Sequence, residues 1–124
     1  MIPHLLSVDD LKEDFLINLW DEALENKGKN NKNLENKIIT NLFYEPSTRT
    51  SSSFYSAMTR SGGTVIPINN VKFSSVTKGE SLEDTIRTMA CMCDAIVLRH
   101  YQIGAAKQAS TCLLYTSDAA DDLY

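Results

Sequence analysis

Three short stretches of this 124-residue sequence concentrate side chains suited to holding an anion: Glu45-Pro46-Ser47-Thr48-Arg49-Thr50, the run from Ser74 through Lys78 to Glu80, and the pair Arg99-His100. The first has the strongest physical logic. Pro46 stops an apolar run, and Phe54, Ala57, Met58 and Ser61 then recur at helical spacing, so Ser47 to Thr50 fall where a strand turns into a helix. Backbone N–H groups at a helix start lack internal partners, and the helix dipole favours negative charge there. Arg49 adds a planar fork matched to phosphate oxygens, and Ser47, Thr48 and Thr50 add hydroxyl donors. Phosphate is the ligand this chemistry suggests; ordinary helix capping is the other reading of such a Ser/Thr cluster. The stretch is not a Walker A loop, because the only adjacent glycines, Gly62-Gly63, sit at the far end of the helix.

The remaining candidates each carry a plain alternative. Arg99 suits an anion or a surface carboxylate, and Lys78 suits a ligand or bulk water. Cys91 and Cys93 lack a second pair or a nearby His at finger-like spacing, so they read as structural thiols and no metal is expected. His4 reads as an exposed terminal residue and His100 as a weak base candidate.

Positioning these groups requires a scaffold, and the pattern supplies one. Ser7 with Asp10 forms a capping pattern, and Leu11, Phe15, Leu19 and Ala23 step by four, predicting an amphipathic helix from Ser7 to Asn26. An Asn-, Gly- and Lys-rich loop follows. Residues 37–44, KIITNLFY, read as a strand buried on both faces, TVIPI (64–68) as a second, and AIVL (95–98) as a third. Between the last two, Ser81 and Asp84 repeat the cap, and Leu82, Ile86, Met89, Ala90 and Cys93 form one helical stripe. The expected fold is α/β: a three-layer open parallel sheet in β-α-β-α-β order, preceded by an N-terminal helix, with right-handed crossovers. In such sheets ligands bind beyond the carboxyl ends of the strands, which places all three candidate stretches on one rim.

Composition is that of one ordinary globular domain, with 43% hydrophobic and 23% charged residues. Net charge is −4, yet residues 36–110 carry eight bases against five acids. That surplus is too small for a nucleic-acid footprint and fits a small anionic partner. No apolar run approaches a membrane span, and neither an export signal nor an even cysteine count is present, so cytoplasm is the expected compartment. Residues 111–124 carry three acids and no base and break the pattern; they are set apart from the fold as a readthrough or adapter-derived tail, with a short native terminal helix as the other reading.

FYEPSTRT followed by SSF, then KGESLEDTI, then DAIVLRH with GAA at 104–106, resembles the carbamoyl-phosphate domain of the aspartate carbamoyltransferases over about residues 3–110. STRT is shared with ornithine carbamoyltransferases; KGES and the Arg-His pair point to the aspartate branch. The resemblance implies that Ser47, Thr48, Arg49, Thr50 and Arg99 bind carbamoyl phosphate, with Ser74 and Lys78 on a loop that reaches a neighbouring subunit of a homotrimer. Arg49, Thr50, Lys78 and Arg99 would be catalytic, transferring the carbamoyl group to the amine of L-aspartate, with no metal or organic cofactor. Glu45 would orient Arg49 or another cation. The sequence departs from the pattern at Ser51, Thr77 and Tyr101, where the family often has Arg, a basic residue and Pro. It also lacks the H-P-x-Q motif and the aspartate-binding domain that follow in the family. The resemblance therefore implies an N-terminal part, residues 1–110, that does not turn over alone. A transferase for another amine such as ornithine, or a non-catalytic phosphate-binding module, stands as the alternative.

Overall fold

The computed structural model describes residues 4–69 and 79–113. Strands β1 (Ile38–Phe43), β2 (Thr64–Asn69) and β3 (Ala95–Arg99) form a parallel sheet in the order β2-β1-β3. The central strand is buried on both faces, and Thr40, Asn41, Leu42 and Phe43 are all inaccessible. This is why its sequence is a continuous run rather than an alternation. Pro67, which has no N–H to give, lies in the edge strand β2.

Helix α1 (Glu13–Asn26) precedes the sheet, α2 (Thr48–Arg60) joins β1 to β2, α3 (Leu82–Ala90) joins β2 to β3, and the chain is helical again over 105–113, termed α4. Alternate residues of β1 point to opposite faces. Leu42 and Tyr44 pack with Ile86 of α3 and with Ala109 and Cys112 of α4, whereas Asn41 reaches Ser51 of α2. Crossovers of one hand running in opposite directions along the sheet, from β1 to β2 through α2 and from β2 past β1 to β3 through α3, produce this division of helices between the two faces. The expected three-layer arrangement is observed. Of the acidic terminal segment, residues 111–113 continue α4; 114–124 lie outside the described residues.

The helix α2 ends on Gly62, whose φ of +84° is left-handed and where an added Cβ would stand 3.3 Å from Lys32 Cα. The amide of Leu34 donates to Ser61 O at 2.9 Å and that of Asn31 to Arg60 O at 2.9 Å, tying the Lys-rich loop to this end of α2.

Two boundaries differ from expectation. The single helix from Ser7 to Asn26 is instead a 3-10 turn (Val8–Asp10) followed by α1, with Leu11 extended between them. The capping box is present, but the Asp10 carboxylate accepts from the amides of both Leu6 and Ser7, closing the turn on itself. The stripe of α3 stops at Ala90 and does not run on to Cys93. The chain turns there because Asp94 is held by β1, its amide donating to Ile38 O at 2.8 Å and its carboxylate accepting from the Ile38 amide at 2.8 Å. Cys91 and Cys93 donate their thiols to the carbonyls of Arg87 and Met89.

No residue of α1 is buried: Phe15, Leu16, Ile17, Leu19 and Leu24 are all exposed, and Trp20 is 67% exposed. Among the described residues no helix is long and apolar enough to cross a membrane.

Candidate functional site

After β1 the chain enters α2 on one face of the sheet, and after β3 it enters α4 on the other. The loops leaving two adjacent strands thus diverge and open a crevice above their carboxyl ends. The two loops remain bonded at their bases, where the Tyr44 amide donates to the Arg99 carbonyl at 2.9 Å, one step past the Phe43–Arg99 register pair.

Arg99 spans this crevice. Its Nε donates to Glu45 Oε2 at 3.2 Å and its Nη1 to Ser47 Oγ at 3.0 Å, so one guanidinium joins the end of β3 to the start of α2. Ser47 is the N-cap of α2, with extended backbone (φ −154°, ψ 92°), yet its hydroxyl caps no amide because it faces Arg99. Among the described residues the first-turn amides of α2 are therefore left without a side-chain acceptor, beside a cation, as an anion requires. Thr48, Arg49 and Thr50 lie in that turn with exposed side chains. Among the described residues Arg49 has no ion-pair partner, and the carboxylate Glu45 serves Arg99.

Beneath the turn, the buried Ser51 hydroxyl donates to the carbonyls of Ser47 at 2.6 Å and Thr48 at 3.4 Å, and the buried Asn41 side chain donates to the Ser51 carbonyl at 3.0 Å. The sequence pattern did not single out Asn41, since one polar residue inside an apolar run carries no periodic signal. Ser51 was marked only as a departure from the resembling family.

The β3 side of the crevice is built on His100. Its ring sits 4.4 Å from that of Tyr44 and 4.4 Å from that of Tyr101, the latter stacked at 23°. Nδ1 accepts the Gln102 amide at 3.0 Å, so the neutral ring carries its proton on Nε2. Burial lowers the His100 pKa from 6.5, with the nearby Glu45 carboxylate acting in the opposite sense. Burial raises the Tyr44 pKa from 10.0, opposed by a hydrogen bond with Thr85. A hollow of about 270 Å³ opens here, bordered by Arg99, His100, Gln102 and Gly104. A larger groove of about 580 Å³ between the end of α1 and α2 contains none of the candidate groups; converging donors, not volume, mark the site.

Of the residues expected on the rim, Ser47, Thr48, Arg49, Thr50 and Arg99 are on it, and Ser47 and Arg99 are in contact. Ser74 and Lys78 lie outside the described residues.

Residues 3–117 match the family described as aspartate/ornithine carbamoyltransferase, carbamoyl-P binding domain. The sequence is 49% identical over 112 residues to the aspartate carbamoyltransferase catalytic subunit of Methanocaldococcus jannaschii, covering 86% of this chain and 37% of that protein. It is 50% identical over 107 residues to the catalytic subunit of Thermoplasma acidophilum, covering 85% of this chain and 34% of that one. The crystal structure of the M. jannaschii catalytic subunit superposes with a TM-score of 0.81 at 47% identity, over 90% of this chain and 38% of that one. Aspartate transcarbamoylase of Trypanosoma cruzi in complex with carbamoyl phosphate and aspartate superposes with a TM-score of 0.76 at 36% identity, over 88% and 37% of the two chains. The chain thus spans little more than a third of the length of the proteins it matches.

Proposed function

The chain belongs to the aspartate/ornithine carbamoyltransferase family through its carbamoyl-phosphate-binding domain, and from that premise we propose that the rim of Ser47, Thr48, Arg49, Thr50 and Arg99 binds carbamoyl phosphate for transfer of its carbamoyl group to the amine of L-aspartate. The observation that carries this reading is the Arg99 guanidinium bonded to Ser47 Oγ at 3.0 Å, which sets a fixed cation beside uncapped helix amides. The substrate class and the acceptor are supported by the T. cruzi relative solved with carbamoyl phosphate and aspartate.

In this reaction the aspartate nitrogen forms a bond to the carbonyl carbon, the bond from that carbon to the bridging phosphate oxygen breaks, and the nitrogen gives up a proton. Charge grows on the carbonyl oxygen and on the departing phosphate. Thr50 and Arg99 act on the first; Arg49, the α2 amides and Lys78 act on the second, as preorganised donors that need no reorganisation when charge develops. One such donor typically matters by about a hundredfold in rate. Glu45 holds Arg99 through Nε and Ser47 holds it through Nη1, leaving Nη2 for substrate. Metal and organic cofactors have no part in this scheme.

On the same reading Ser74 and Lys78 act in a neighbouring subunit of a homotrimer. The acceptor is gripped by polypeptide corresponding to the rest of the relatives' length, so residues 1–110 form the carbamoyl-phosphate half and the 124 residues alone do not turn over. The thiols of Cys91 and Cys93, which form no disulfide among the described residues, support a cytoplasmic setting.

The test is titration with inorganic phosphate and with carbamoyl phosphate by calorimetry, alongside Arg49→Ala. Saturable binding lost in the variant is expected; equal binding by both refutes the site. In a polypeptide extended to the relatives' length, formation of N-carbamoyl-aspartate supports the aspartate acceptor, and product formed only with ornithine refutes it. Mixing Lys78→Ala and Arg49→Ala versions of that polypeptide should restore activity if the loop is shared between subunits.

A further inference from the structure

The first turn of α2 is bonded unevenly. Its carbonyl side is over-supplied: Ser47 O accepts from both the amide of Ser51 (3.3 Å) and the hydroxyl of Ser51 (2.6 Å), while Ser51 O accepts the side-chain amide of Asn41 (3.0 Å). Its amide side receives no side-chain cap, because Ser47 Oγ is taken by Arg99. Asn41 also keeps its Oδ1 buried with no partner among the described residues, in a strand position 1% exposed. An unsatisfied buried acceptor is a standing cost that a leucine at that site would avoid, so it needs an explanation outside stability.

We infer that Asn41 and Ser51 are positioning residues, fastening the carbonyl side of the turn from beneath so that its amide side is held open toward the anion. The inference rests on the reading of that turn as the phosphate site. Two physical effects follow from the arrangement. The turn is locked to β1, the most buried strand, so it pays little ordering entropy when a ligand arrives. Donors on the carbonyls also polarise the peptide groups of the same turn, strengthening the opposite N–H groups as donors. Neither residue needs to touch the ligand.

The test uses the 124-residue chain, ¹⁵N-labelled and titrated with inorganic phosphate at fixed pH and ionic strength, with thermal unfolding measured in parallel. Asn41→Leu and Ser51→Ala are each expected to weaken phosphate binding about fivefold, one hydrogen bond's worth of alignment. Ser51→Thr, which keeps the hydroxyl, restores it. Asn41→Leu weakens binding without lowering the melting temperature, which a merely structural role would not produce. Should Asn41→Leu fail to fold, Ser51→Ala and Ser51→Thr decide alone. Unchanged affinity in the folding-competent variants overturns the inference while leaving the phosphate site standing. Absence of phosphate binding by the unmodified chain overturns the site reading and the inference together.

Discussion

Replacing Arg99 by Lys keeps the charge and removes the fork. In the structure Nε and Nη1 serve two acceptors at once, Glu45 at 3.2 Å and Ser47 at 3.0 Å, and a single ammonium, with its donors on one atom, does not reproduce that forked geometry beside a ligand. The Glu45 and Arg99 side chains are 40% and 45% exposed, so their ion pair contributes under about 1 kcal/mol to folding. The melting temperature of Arg99→Lys should accordingly stay within about 5 °C of the parent. Binding responds more strongly. A hydrogen bond from a charged group is worth roughly 1.5–3 kcal/mol. Partial exposure reduces this by about half, leaving about 1.1 kcal/mol, or roughly a sixfold rise in the phosphate Kd. Because the charge is conserved, the dependence of Kd on salt should match that of the parent, whereas Arg99→Ala should weaken binding further and flatten the salt dependence. Calorimetric titration with phosphate at two or three salt concentrations measures all of this. An Arg99→Lys chain that binds phosphate within twofold of the parent would refute the claim that forked geometry, rather than charge alone, defines the site.

Burial lowers the His100 pKa from 6.5, so the folded state takes up its proton later than the unfolded chain as pH falls. Stability from this group is complete above about pH 6.5 and declines as pH drops through the lower folded value, and His100→Gln should flatten melting curves between pH 7.5 and 5.5. Leu42 is fully buried between α3 and α4, and Leu42→Ala should lower unfolding stability by about 3 kcal/mol in urea titrations; a loss under about 1 kcal/mol would contradict the packing described. Gly62→Ala sets a Cβ on a left-handed residue and 3.3 Å from Lys32 Cα, so it should destabilise by more than about 1 kcal/mol by the same assay, whereas Gly28→Ala, also left-handed but in open space, should cost less.

The parts of the fold legible in the sequence are those set by local pattern. The three strands stood out because continuous apolar runs have few other uses in a small α/β domain, and they lie within a residue or two of the expected bounds. The start of α1 and the end of α3 did not, because each is decided by one carboxylate choosing a backbone partner: Asp10 for Leu6 and Ser7 nearby, Asp94 for Ile38 on a distant strand. At the site, the strand-end rule brought Ser47 and Arg99 to one rim, but the pairing of Glu45 with Arg99 in preference to Arg49 depends on the register of β1 with β3. The Asn41–Ser51 tie was illegible for the same reason, being a contact across the sheet–helix interface with no spacing of its own.

Trp20 is the only tryptophan in the chain and stands on the exposed apolar side of α1, away from every packed strand. Its indole emission therefore reports on α1 alone: melting of the sheet leaves that fluorophore almost as wet as before, and any surface that settles over the helix shifts its spectrum to the blue. Urea or thermal unfolding followed by circular dichroism reads the backbone as a whole, and tryptophan light reads what covers α1, so one sample yields two different signals.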